Sequence, residues 1–167
     1  DPNWNWWELA GKTIGIIGMG NIGSKVAKIA EAFGMNVCYF STSGTGHCKD
    51  YPCLSLEELL KVSDIVSIHA PLNERTNRLI GKEQLALMKP TAYLVNVGRG
   101  AIIVEEDLAE AVDNGIIAGA GIDVFVQEPI QEDHPYLKMQ HPERMRLTPH
   151  IAWASIEARR RLIDIMA

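Results

Sequence analysis

The segment Gly18-Met19-Gly20-Asn21-Ile22-Gly23 constrains the fold of this 167-residue chain more than any other. It fits the pattern G-x-G-x-x-G. It leaves a short apolar run, Ile14-Gly15-Ile16-Ile17, and enters a stretch from Ile22 to Phe33 in which Ile22, Val26, Ile29, Ala30 and Phe33 share one helical face. Strand, glycine turn and helix in that order give the pattern physical meaning. Gly18 permits the tight turn, Gly20 lets a pyrophosphate approach the backbone, and Gly23 lets helix and strand pack closely. The free N–H groups and dipole of the helix would hold the phosphates. Gly18, Met19, Gly20, Asn21, Ile22 and Gly23 are therefore candidate dinucleotide contacts; a glycine-rich turn without ligand is the competing reading.

The rest of the chain alternates between the same two periods. Val37 to Phe40 reads as a strand, and the capping box Ser55-Leu56-Glu57-Glu58 opens a helix to about Val62. Ile65 to Ile68 is the next strand, followed by a loop around Pro71 and a helix near Lys82 to Met88. Ala92 to Asn96 is again a strand. Glu105 and Glu106 start a helix that stops at Asn114-Gly115, with acid at its start and glycine at its end. Ile117 to Val124 and Met145 to Leu147 are further strands, and a helix runs from Ser155 to the end. Regular alternation of this kind predicts an α/β protein with a doubly wound parallel sheet, a three-layer α/β/α Rossmann fold. Gln127 to Arg144, polar and rich in proline, is the one loosely organised stretch.

Composition narrows the partners. Sixteen Lys and Arg against 21 Asp and Glu give a net charge of −5, which argues against nucleic acid or an anionic membrane as partner. No apolar run reaches the length of a membrane span. Cys38, Cys48 and Cys53 cannot all pair, which predicts reduced thiols in a cytoplasmic protein. No His/Cys spacing suits a metal: His47, His134 and His141 lie in polar loops, and Cys48 and Cys53 flank Tyr51-Pro52 without partner ligands. A length of 167 residues suits one domain with one core.

The acidic residue expected some way past the glycine turn, which would bind the ribose 2′-hydroxyl of NAD, is missing. The second strand ends instead in Ser41-Thr42-Ser43-Gly44. Those hydroxyls would not repel a 2′-phosphate, yet no arginine is near them in sequence. Ser41 and Thr42 are candidate ribose contacts, and the choice between NAD and NADP stays open.

From Trp7-Glu8-Leu9-Ala10-Gly11-Lys12 through the glycine turn, the sequence resembles the D-isomer-specific 2-hydroxyacid dehydrogenases. The same family is matched by His69-Ala70-Pro71-Leu72, by Met88-Lys89-Pro90 with Val95-Asn96-Val97-Gly98-Arg99-Gly100, by Gly121-Ile122-Asp123-Val124-Phe125 with Glu128-Pro129, and by Thr148-Pro149-His150-Ile151-Ala152-Trp153. His150-Ile151-Ala152-Trp153-Ala154 looks most like the glycerate dehydrogenase (hydroxypyruvate reductase) branch. The resemblance implies a nicotinamide cofactor, a small 2-keto or 2-hydroxy acid as substrate, and a homodimer. It also implies that residues 1–167 are the dinucleotide-binding domain, with the substrate domain absent from this chain.

The resemblance places the catalytic set on Arg99, Glu128 and His150. Arg99, just past a strand end, would grip the substrate carboxylate with its planar fork. His150 would give a proton to the keto oxygen, and Glu128 would hydrogen-bond the imidazole and favour its charged form. The resemblance adds Ala70, Pro71, Thr76, Val97, Gly98, Arg99, Asp123, His150 and Ala152 as cofactor contacts, with Asp123 at the nicotinamide carboxamide. His69 would shape the cleft. Bland readings compete at each position: a surface arginine, a turn carboxylate, a core histidine. Trp4, Trp6 and Trp7, bunched before the first strand, would form an aromatic contact patch or pack on the sheet. Rival functions are a non-catalytic dinucleotide sensor of the corepressor type and the same chemistry on phosphoglycerate or formate. A Rossmann-like methyltransferase has no use for the Arg, Glu and His set.

Overall fold

The computed structural model describes residues 7–166. Six strands form one sheet: β1 (Thr13–Ile17), β2 (Asn36–Phe40), β3 (Ile65–Ile68), β4 (Tyr93–Asn96), β5 (Gly119–Ile122) and β6 (Met145–Leu147). The order is β2-β1-β3-β4-β5-β6, and every neighbouring pair runs parallel. A parallel sheet needs a crossover between strands, and helices supply the first four, while two short 3-10 turns, Pro135–Leu137 and Pro142–Arg144, lie between β5 and β6. The helices are α1 (Asn21–Ala32), α2 (Leu56–Val62), α3 (Lys82–Leu85) and α4 (Glu105–Asp113), with α5 (Ile156–Met166) after the last strand.

Side chains alternate across the sheet and so build two cores. On one face Ile17, Cys38, Val66, Ile68 and Leu94 meet Leu59 and Leu60 of α2, Leu85 of α3, and Leu108 and Val112 of α4. On the other, Ile14, Ile16 and Tyr39 pack with Ala27 and Ala30 of α1. Each fully buried Leu or Ile stabilises the fold by about 1.5–3 kcal/mol. Local signals set the helix ends. Ser55 Oγ accepts from Glu58 N–H while Glu58 Oε2 accepts from Ser55 N–H, closing the capping box on α2. Glu105, Glu106 and Asp107 complement the N-terminal dipole of α4, and Gly115 turns the chain out at φ 67°. α3 is shorter than the Lys82–Met88 expected, because the chain tightens into turns ahead of Pro90.

Which side of α1 meets the sheet is decided by its small residues. The helix buries Gly23, Ala27 and Ala30, whereas Ile22, Ile29 and Phe33 stand 62%, 59% and 60% exposed. Small residues let the helix lie close to β1: a Cβ on Gly23 would stand 2.1 Å from Gly18 O. The apolar face read from periodicity is thus split: Ala30 and, in part, Val26 pack inward, while Ile22, Ile29 and Phe33 face outward. α5 buries none of its residues. Trp4 and Trp6 lie outside the described residues; Trp7 is exposed, with Lys12 Nζ 5.5 Å from the centre of its ring.

Gly23→Ala is expected to lower unfolding free energy by about 1–3 kcal/mol, because the added methyl meets backbone that cannot rotate away. Gly20→Ala, whose Cβ would meet nothing within 4 Å, is expected to cost less than about 1 kcal/mol. Denaturant titration of both variants checks the difference, and equal losses would contradict the close approach.

Candidate active site

β1 lies between β2 and β3, and the helices following β1 and β2 cover opposite faces, so a crevice opens at the carboxyl ends of β1 and β3. Gly18 occupies it at φ 95°, and a Cβ there would stand 2.9 Å from the Ala70 backbone. α1 starts without a side-chain cap, unlike α2, and without an acid in its first turn, unlike both α2 and α4. Its first N–H groups are thus unclaimed, with open space beside Gly20. A helix start left bare in this way fits a pyrophosphate.

The other candidates gather on the same sheet edge. Ser41 and Thr42 follow β2, Ala70 and Pro71 follow β3, Val97, Gly98 and Arg99 follow β4, Asp123 follows β5, and His150 and Ala152 follow β6. Thr76 lies farther along the loop after β3. It is fully buried, its Oγ1 donating to Pro71 O at 2.6 Å and accepting from Asn73 N–H at 2.9 Å, so it fixes that loop.

Glu128 and His150, 22 residues apart, meet at 2.8 Å between Oε2 and Nδ1. Phe125 N–H donates to the other Glu128 oxygen at 2.9 Å. That backbone donor, and then His150, hold the Glu128 carboxyl below the usual glutamate range. Nε2 of His150 carries no protein partner among the described residues. The His150 backbone sits at φ 55°, a left-handed conformation unusual for a non-glycine residue. Asp123 enforces it. The His150 N–H donates to Asp123 O at 2.8 Å, and the buried Asp123 carboxylate accepts from the Thr148 hydroxyl, Ile151 N–H and Ala152 N–H. Burial opposes the charge on Asp123, but the Thr148 hydroxyl and the two N–H donors outweigh it and keep the carboxyl below the ordinary aspartate range. Asp123, which the resemblance places at the nicotinamide carboxamide, thus also braces the 148–152 turn.

Arg99 is exposed at the end of β4, one Nη1 bond going to Gly98 O. Its turn is held by Asn96, which sequence reasoning passed over. Buried Asn96 accepts from Gly98 N–H and donates to Arg99 O, both at 3.0 Å. A Cβ on Gly100 would stand 2.0 Å from the Phe125 carbonyl carbon, so the Arg99 turn backs directly onto the turn that holds Glu128.

His69 donates to or accepts from Ser67 Oγ at 2.8 Å, and burial pushes its pKa down, leaving it neutral near pH 7. His134 is not a loop histidine in solvent. It is 8% exposed, packed against Phe125 and Tyr136, with Nε2 3.2 Å from Glu105 Oε2. Glu105 also accepts from Val126 N–H. The segment expected to be loosely organised is thereby pinned to the start of α4. Among the described residues no group of three His, Cys, Asp or Glu side chains could hold a metal.

A family model described as D-isomer specific 2-hydroxyacid dehydrogenase, NAD binding domain, matches residues 1–152. The chain belongs to this family. It is 48% identical over 165 residues to a glyoxylate reductase of Aeropyrum pernix, covering 96% of this chain and 48% of that protein. It is 41% identical over 172 residues to a hydroxypyruvate reductase of Blautia hydrogenotrophica, covering 99% and 52%. Among solved structures, an acyclic imino acid reductase in complex with NADPH and D-Arg superposes with a TM-score of 0.89 at 37% identity, covering 99% of this chain and 52% of that one. The chain thus spans about half the length of the curated relatives it matches. As a 2-hydroxyacid dehydrogenase nucleotide domain, it is an NAD-binding domain with a Rossmann-type sheet.

Asp123→Asn is expected to lower stability at pH 7 by about 1–3 kcal/mol, because an amide cannot accept from all three donors. The depressed pKa of Asp123 means that its contribution is present above the unfolded-state pKa and lost as pH falls through the folded value. The gap between wild type and variant should therefore narrow below about pH 4. Thermal melts from pH 7 to pH 3 measure it; a constant gap would show that the charge is not what braces the turn.

Proposed function

We propose that this chain is the nucleotide-binding half of an oxidoreductase that reduces a small 2-keto acid, of the glyoxylate or hydroxypyruvate kind, to its D-2-hydroxy acid. The observation that carries this is the His150–Glu128 pair, with its free Nε2 on the sheet edge that also holds Arg99 and the bare start of α1. A 2-keto acid needs a cation for its carboxylate and a proton for the oxygen that becomes a hydroxyl. Arg99 offers the first in a form that binds both carboxylate oxygens. His150 delivers the proton from Nε2 while Glu128, bonded to Nδ1, fixes the tautomer and stabilises the charged ring. The nicotinamide, when bound, supplies the hydride; Gly18 to Gly23 would hold its pyrophosphate and Ala70, Pro71, Val97 and Gly98 would line its path. Asp123 acts by holding the His150 turn. The relatives named glyoxylate reductase and hydroxypyruvate reductase support this substrate class. A dinucleotide sensor would need the glycine turn but not a histidine paired in this way.

The outward stripe of Ile22, Ile29 and Phe33 on α1 supports a homodimer through this face. Three free cysteines support a reducing compartment such as the cytoplasm. Among the described residues no helix is long and apolar enough to cross a membrane.

In the complete enzyme, His150→Ala is expected to cut kcat for glyoxylate and hydroxypyruvate by about 10²–10⁴-fold with little change in dinucleotide affinity. Glu128→Gln should cut it less and move the alkaline limb of the pH–rate profile to lower pH, since the protonated ring loses its carboxylate partner. Near-normal turnover in the His150 variant would overturn the assignment. For the dimer, Ile29→Glu should yield monomer by light scattering; an unchanged mass would exclude that face.

A further inference from the structure

The ribose end of the cleft holds a cation that the sequence hides. Ser41 and Thr42 stand where an acid would bind the ribose hydroxyls of NAD, and no arginine lies near them along the chain. Folding brings one from 32 residues away. Arg75, in the loop after β3, donates from Nη1 to Ser43 O at 2.9 Å. A Cβ on Gly44 would stand 3.3 Å from the same nitrogen. Together Phe40, Ser41, Thr42, Leu54 and Arg75 line an open pocket of about 270 Å³, and no carboxylate lines it.

The loop that delivers Arg75 is well fixed. Buried Thr76 clamps it through Pro71 O and Asn73 N–H, and Arg75 N–H donates to Asn73 Oδ1 at 2.9 Å. The guanidinium itself is exposed, and apart from the Ser43 bond its fork has no protein partner among the described residues. A planar, permanently charged fork over this turn matches a phosphate better than a bare ribose. The Ser41 hydroxyl bonds within its loop to Thr45 O and would have to turn outward to join it, whereas the Thr42 hydroxyl has no protein partner among the described residues. A ribose 2′-hydroxyl would find no acid to bond and would gain little from the cation.

We propose that Arg75, with the hydroxyls of Ser41 and Thr42, forms a 2′-phosphate site that makes this chain select the 2′-phosphorylated dinucleotide over NAD(H). The proposal rests on the dinucleotide reading of the cleft given above. Binding is the readout. NADH and NADPH are titrated against the full chain by energy transfer from tryptophan to the reduced nicotinamide, and adenosine 2′,5′-bisphosphate and 5′-AMP are compared as displacers. NADPH is expected to bind about tenfold or more tighter than NADH, with the bisphosphate the stronger displacer. Arg75→Ala should bring the ratio of the two affinities to within about threefold, and Arg75→Glu should invert it. Ser41→Asp, made independently of Arg75, should also shift the ratio toward NADH by placing a carboxylate against the phosphate. NADH binding as tightly as NADPH in the wild type, or a preference that survives Arg75→Ala, would overturn the proposal alone. Failure of both dinucleotides to bind would overturn the dinucleotide reading with it.

Discussion

All six strands run the same way, and that one constraint determines what the rest of the chain can do. In a parallel sheet every strand ends at the same edge, so every strand-to-helix turn is delivered there. Residues far apart in sequence, from Gly18 to Ala152, become neighbours along one line without any side chain having to pull them together. The helices then fill both faces with apolar cores, leaving that edge as the place where polar groups can gather unburied. Chemistry is confined to the edge because the faces are committed to stability.

Within the edge, rigidity comes from buried polar groups placed one layer behind the reactive ones. Asn96 holds the Arg99 turn, Asp123 holds the His150 turn, and Thr76 holds the Arg75 loop. Each is buried and saturates local backbone donors or acceptors. A left-handed φ at His150 costs on the order of 1–3 kcal/mol. Three donors to a charged carboxylate, at about 1.5–3 kcal/mol for a bond to a charged group, are enough to offset it. The side chains of Arg75, Arg99 and His150 stay exposed or half-exposed because residues beneath them bear the cost of fixing their backbones.

Local features were legible in the sequence, and non-local ones were not. The strands, the capping box on α2, the glycine stop after α4 and the strand-end positions of Arg99 and His150 all follow from periodicity and short-range chemistry. Periodicity placed five apolar residues of α1 on one side, but not which of them reach the sheet. At α1 the sheet takes Gly23, Ala27 and Ala30, whose size permits close approach. His134 looked like solvent-exposed loop until Glu105, on another element, paired with it. The resemblance gave Thr76 and Asp123 as cofactor contacts; the turns they support appear only in their hydrogen bonds, which join residues no short-range pattern links.

Arg75 extends this lesson to charge. A net charge of −5 gives no hint of where positive groups gather, yet the edge holds two separate clusters of donors. Arg75 and the bare start of α1 sit by β1 and β2, while Arg99 and His150 sit by β4 to β6. With strands about 4.8 Å apart, β2 and β5 are separated by about 19 Å across four spacings of the sheet. A small keto acid cannot bridge that span, and a compact nucleotide cannot either. The two clusters lie as far apart as the two ends of an extended ligand. That separation along the sheet, more than any single residue, is what suits the edge to a dinucleotide.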